Sequence, residues 1–206
     1  MGHMNNIKLY KNGFLVKSLE ESCFQNPDGY HGIGRFFTWP LDVETDSISR
    51  QLSDEAIEKW FAFDDDRLSI IPDSSYIRKY LLHCKELCIP TECLWIESNN
   101  PILTTEESIS NAEVIGFDYA DLGMQISALA DDLFVLDHYK QSEVFSFRKK
   151  LNNYGLFSSL DDLVDYVRMR DKTRSAKQKE EDQMIYSGLY VIKISKVEPE
   201  SILAEK

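Results

Sequence analysis

Between Glu86 and Tyr139 the chain has no lysine and no arginine. Those 54 residues hold eleven carboxylates: Glu86, Glu92, Glu97, Glu106, Glu107, Glu113, Asp118, Asp121, Asp131, Asp132 and Asp137. The whole protein carries 35 acids against 23 bases, a net charge of −12, so the remainder is close to neutral. A one-signed stretch of this length repels nucleic acid and anionic membranes and attracts cations or basic protein surfaces. The chain also lacks any apolar run near the roughly 18–20 residues that cross a bilayer. No charged, apolar, small-residue leader opens it. Met1-Gly2-His3-Met4 reads as a cloning scar over residues 1–3 followed by the natural initiator, which implies a chain kept in the cytoplasm.

Catalytic signatures are missing as well. There is no phosphate-binding Walker loop, no Gly-x-Ser-x-Gly elbow, no His-Glu-x-x-His helix and no EF-hand spacing. Gly32-Ile33-Gly34-Arg35 is a Gly-x-Gly fragment without the strand–turn–helix context of a dinucleotide loop. The cysteines are Cys23, Cys84, Cys88 and Cys93. Cys84-x3-Cys88-x4-Cys93 beside His83 lacks the Cys-x2-Cys knuckle of structural zinc sites, so reduced core thiols are the expectation. Cys23 and His31 carry no surrounding protease or transferase signature.

What is present suits a folded chain. Hydrophobic residues make up 43% and aromatics 12% of 206 residues, enough for one domain over residues 4–206, with a possible N-terminal subregion at 4–100. Residues 7–16 read as a hairpin turning at Asn12-Gly13. Residues 25–34 read as loop, and Arg35 to Trp39 as a short strand. Ser53 opens one helix, and a second runs from Pro72 to just before Pro90. Cys93 to Ile96 reads as a buried strand, residues 98–112 as a polar connection, and Val114 to Phe117 as a strand that Asp118–Asp121 leave. Residues 122–136 fit helical spacing weakly, and residues 143–151 fit either helix or strand. Asn152 to Phe157 reads as a turn. Ser159 caps a helix over about 160–178, with acids first and bases last, as the helix dipole favours. Residues 188–194 read as a strand inside the sheet. Strands and helices mix without a regular alternation, so the expected fold is α+β, with an antiparallel or mixed sheet and helices on one face.

Three short pieces carry a resemblance: Gly116-x-Asp118-x-Ala120-Asp121, Ser127-x-Leu129, and Leu151-Asn152-x-Tyr154-Gly155-Leu156-Phe157. Their order over roughly 115–195 resembles small bacterial proteins, among them immunity proteins of bacterial toxin systems. The resemblance implies no catalytic residue. A structural role accounts for the same pieces: Asp118 and Asp121 capping turns, Gly155 at positive φ, Leu156 and Phe157 plugging the core.

The residues then lead to a non-enzymatic, acidic protein-binding module of immunity or antitoxin type. It would bind a basic protein, such as a nuclease-like toxin domain, by occlusion and charge complementarity. The expected contacts are Glu106, Glu107, Asp118, Asp121, Asp131, Asp132 and Asp137, with Tyr119 and Tyr139 as aromatic anchors. No cofactor or bound metal is expected. The alternative is a hydrolase or transferase whose Asp118, Asp121, Asp131, Asp132, Asp137 and His138 hold Mg²⁺, Mn²⁺ or Ca²⁺ through oxygen ligands. A structural adaptor or self-associating domain is a third class. The basic stretch from Arg168 to Lys179, six bases and one acid, reads as a solvated helix end.

Overall fold

The computed structural model describes residues 7–18, 70, 72, 74–86, 91–102, 104–122, 126–130, 132–133, 143–186 and 188–204. The helix expected from Ser53, the strand Arg35 to Trp39 and the loop 25–34 lie outside these residues, as do Cys23, His31 and Cys88. Five strands are described: β1 (Tyr10–Ser18), β2 (Thr91–Ser98), β3 (Ala112–Asp121), the two-residue β4 (Ile126–Ser127) and β5 (Leu189–Val197). Four helices accompany them: α1 (Ser74–Glu86), α2 (Leu160–Thr173), α3 (Ala176–Ile185) and α4 (Pro199–Ala204). A single helical turn, Ala128–Ala130, and a 3₁₀ helix, Val144–Lys150, complete the order. The domain is α+β, and its sheet is antiparallel throughout, in the order β1-β2-β5-β3-β4.

The last strand in the chain is thus the middle one. Successive side chains on a strand face opposite sides, and on β5 both sides are buried. Ile192 and Ile194 join Leu15, Leu94 and Ile96 in one apolar cluster. Val191, one residue out of step, joins Phe157 and the α2 residues Leu163, Tyr166 and Val167 in another. Lys193 is the polar interruption, and its Nζ sits 2.5 Å from Oε2 of Glu97, its cross-strand partner on β2.

Asn12-Gly13 does not turn a hairpin. Tyr10 to Ser18 is one strand paired with β2, and the register shifts between Lys11 and Gly13, leaving Asn12 as the extra residue of a bulge. Gly13 holds φ at 134°. A bulge asks for the same positive φ as a tight turn, so the dipeptide signals both equally. The buried Asn12 donates its amide to the Asn100 carbonyl at 3.5 Å, tying the bulge to the connection after β2.

That connection, polar as expected, is pinned to α1. Glu107 accepts from Ser74 Oγ at 2.8 Å at the helix N-terminus, where a carboxylate also meets the favourable end of the dipole. Thr105 donates its hydroxyl to the Pro72 carbonyl at 2.8 Å. α1 buries Ile77 and Leu81, and Arg78 Nε donates to the Ile202 carbonyl of α4 at 3.0 Å. The 143–151 ambiguity resolves as the 3₁₀ helix, whose Val144 and Phe147 are buried.

The helix expected over 160–178 is two helices. Ser159 caps α2 as anticipated, accepting from the Asp162 amide at 3.2 Å. α2 stops at Thr173, whose hydroxyl donates back to the Met169 carbonyl at 2.8 Å. Arg174 then takes extended backbone, and Ser175 opens α3 with a capping box shared with Gln178.

Candidate functional site

Asp118 to Asp121 was expected to leave the strand and face solvent. All four residues instead remain in β3, because β5 pairs with β3 as far as Asp121↔Leu189. Asp118 and Asp121 are buried, at 0% and 1% exposure. Asp118 Oδ1 accepts from Ser127 Oγ at 2.7 Å and from the Tyr119 amide at 2.6 Å. Its Oδ2 has no hydrogen-bond partner among the described residues. Burial raises the Asp118 carboxyl to about 7, only partly opposed by those two hydrogen bonds. Asp121 Oδ2 accepts from the Gly188 amide at 3.0 Å, fixing the entry to β5.

Asp132 is likewise withdrawn from the surface, at 1% exposure. It is enclosed by the bases expected to be solvated. Arg170 Nε donates to Asp132 Oδ2 at 2.8 Å, and Arg174 Nη2 donates to Asp132 Oδ1. Tyr166 donates its hydroxyl to the same Oδ2 at 2.7 Å. The other two guanidinium donors of Arg170 form a fork on Asp182 of α3, at 2.9 and 3.0 Å. Arg174 Nη1 also reaches Asp182 Oδ1, at 3.1 Å. Two acids and two arginines therefore close a four-charge ring that joins the segment before the 3₁₀ helix to α2 and α3. Burial alone would lower the Arg170 guanidinium, but Asp132, Tyr166 and Asp182 outweigh it and hold the group above its ordinary value. Burial first, then the Asp132 charge, pushes the Tyr166 hydroxyl well above the ordinary phenol range, so it stays a donor.

Tyr119, proposed as an anchor, is partly buried and packs against the α2 cluster, with the Arg170 guanidinium 5.9 Å from its ring centroid. Glu106 is exposed, whereas Glu107 is half-buried and engaged by Ser74. Asp131, Asp137, His138 and Tyr139 lie outside the described residues. The described acids of the 86–139 stretch thus include two contrasting sets, with Glu92, Glu97 and Glu107 half-buried between them. Asp118, Asp121 and Asp132 hold the domain together, while Glu106 and Glu113 face solvent.

Compared with protein-family models, curated proteins and solved structures, the chain matches none. Both oxygens of Asp132 are occupied by arginine and tyrosine donors, and Asp118 and Asp121 bond to different elements. No group of three or more His, Cys, Asp or Glu with metal-site geometry occurs among the described residues. The residues that sequence reasoning missed are Arg170, Arg174, Asp182 and Ser127. The first two stand one helical turn apart in number, a spacing that places them on one side of a helix end. Six bases in twelve residues hid the two that turn inward.

The three pieces of the motif meet on β3. Ser127 holds Asp118, and its Oγ accepts from the Leu129 amide at 3.1 Å. Phe117 and Phe157 exchange both backbone hydrogen bonds, at 2.9 and 3.0 Å. Asn152 closes the turn by donating to the Ile115 carbonyl at 2.8 Å, and Gly155 sits at φ 70°. The motif is a lock around one strand.

Cys93 is fully buried, and burial pushes its thiol up to about 12. A thiol this far from ionising is a poor nucleophile. Iodoacetamide treatment of the native protein followed by peptide mapping is expected to leave Cys93 unmodified, with labelling appearing only after denaturation.

Proposed function

We propose that this chain is a non-catalytic, acidic protein-binding module of immunity or antitoxin type, acting in the cytoplasm on a basic partner such as a toxin domain. The observation that carries the reading is the neutrality of the buried ring. It takes two acids and two bases out of play, so the excess of −12 stays with residues outside it. Glu106 and Glu113 are exposed members of that excess. Opposed fields speed encounter and exclude wrong partners, and occlusion of the partner's site does the rest. The arrangement of short motifs around β3 supports a rigid scaffold. No described helix is long and apolar enough to cross a membrane.

The test is a pulldown with the product of the neighbouring gene, followed by Glu106→Lys and Glu113→Lys together. The expected result is retention of a basic protein, with association slowed several-fold at low salt in the double variant and little difference at high salt. Failure to retain any basic protein, or an association rate indifferent to both reversals and to salt, would overturn the reading. Reversal of Asp132 is unsuitable, since it strikes the interior.

A further inference from the structure

β4 itself has little backbone pairing, whereas the turn after it belongs to the core: Ala128 and Leu129 are fully buried, and the Tyr166 hydroxyl donates to the Ala128 carbonyl at 3.3 Å. Among the described residues β4 pairs with β3 through Ala120↔Ser127 and Asp121↔Ile126. The segment that it opens is fixed at its far end by Asp132 in the ring of arginines. At its near end the Ser127 hydroxyl donates to Asp118 Oδ1 and accepts from the Leu129 amide, so one side chain both docks β4 and starts the Ala128–Ala130 turn. Asp118 meets this hydroxyl with a carboxyl that is wholly buried and has one oxygen unpartnered among the described residues. Such an oxygen is tolerable when it carries a proton and costly when the group is ionised.

We propose that Asp118 and Ser127 form a proton-controlled clasp: with Asp118 neutral, β4 is held on β3, and with Asp118 ionised, Ser127 lets go and β4 unpairs from β3, while the buried turn after it and Asp132 stay in place.

The surroundings leave the carboxyl's own proton in charge of the clasp. Across the sheet Asp118 faces Ile192 of β5. β4 offers Ser127. On β3 the nearby titratable groups are Tyr119 and Asp121, the latter engaged by the Gly188 amide. Tyr190 of β5 pairs with Ala120. No charge among the described residues contributes to the raised Asp118 value, which burial causes and the Ser127 and Tyr119 bonds moderate. The direction follows from the ordinary carboxyl value of 3.8 rising to about 7 in the closed form. The closed form binds a proton that the open form gives up, so its advantage is whole below the ordinary value. It is lost as pH rises through the interval and is spent at about 7. Undocking of β4 would free the outer edge of β3 at Ala120 and Asp121, backbone that another strand can pair with.

Hydrogen exchange at the Leu129 amide, expressed as protection, tests the clasp. Protection is expected to fall about tenfold per pH unit between about pH 5 and pH 7 and then level off. In Asp118→Asn, which keeps the acceptor for Ser127 without an ionisable group, protection should be flat over the same range. Ser127→Ala removes a bond that lowers the Asp118 value, so the levelling point should move to higher pH. Protection independent of pH in the wild type overturns the clasp. So does an Asp118→Asn profile that slopes like the wild type. If the asparagine variant fails to fold, the direction of the Ser127→Ala displacement decides, and a levelling point that stays or falls overturns the proposal.

Discussion

Replacing Asp132 by asparagine is expected to cost about 3–5 kcal/mol of folding stability, the usual result of removing one partner from a buried ion pair. The side chain keeps its size, but Arg170 and Arg174 are then left buried with Asp182 as their shared counter-charge. Tyr166 also faces an amide where it had a carboxylate acceptor at 2.7 Å. Urea unfolding followed by tryptophan fluorescence measures the loss. The companion experiment is a double replacement, Asp132→Leu with Arg170→Met, which leaves Arg174 and Asp182 as a one-to-one pair. It should cost less than the sum of its two single changes, by about 0.5–3 kcal/mol of coupling. Strict additivity would mean that the ring adds nothing beyond packing.

Alanine at Gly116 is the second severe change. Gly116 sits at φ 154°, and an ideal Cβ there would stand 2.6 Å from Leu156 Cβ and 2.9 Å from the Phe157 carbonyl oxygen. The intruded atoms include backbone that cannot swing aside. Backbone strain contributes about 1–3 kcal/mol, and crowding a packed interior contributes about 1–3 kcal/mol more. A loss of about 2–6 kcal/mol is the expected outcome. It should come with faster hydrogen exchange at the Phe117 and Phe157 amides, whose mutual bonds are the first casualties. Unaltered exchange at both amides would show that the turn does not press on the strand at this point.

The sequence signals that held up are those in which local pattern and tertiary need coincide. Ser159 with Asp161 and Asp162 marks a helix start wherever the helix packs, and α2 begins there. The run from Tyr190 to Ile194, apolar but for Lys193, demands burial on both sides, and β5 obtains it at the centre of the sheet. The signals that misled are those with two physical solutions. Asn12-Gly13 supplies positive φ, which serves a bulge as well as a hairpin, and β1 chose the bulge because its partner is β2 rather than its own neighbour. Asp118 and Asp121 look like exit residues by composition, yet a carboxylate can lie inside a strand if a hydroxyl or an amide meets it, as Ser127 and Gly188 do. Arg170 and Arg174 could not be told from the exposed bases around them, since the acid that draws both inward, Asp132, stands 38 and 42 positions away. Charge counted along a chain says nothing about which charges find each other across it. The long basic-free stretch is therefore less a docking face than its composition suggests: part of its charge is answered from within the same chain.

The placement of β5 has a bearing on how the molecule comes into being. During synthesis β1 and β2 are available to pair early, and β3 and β4 later, but the two halves share no hydrogen-bonded border until residues 189–197 arrive between them. Until then β2 and β3 each present a raw edge, the kind that invites association with foreign strands. Contacts of such long sequence separation also slow folding. The nascent chain is thus most exposed to misassembly just before its final strand emerges, and insertion of that strand joins the sheet and retires both edges in one step.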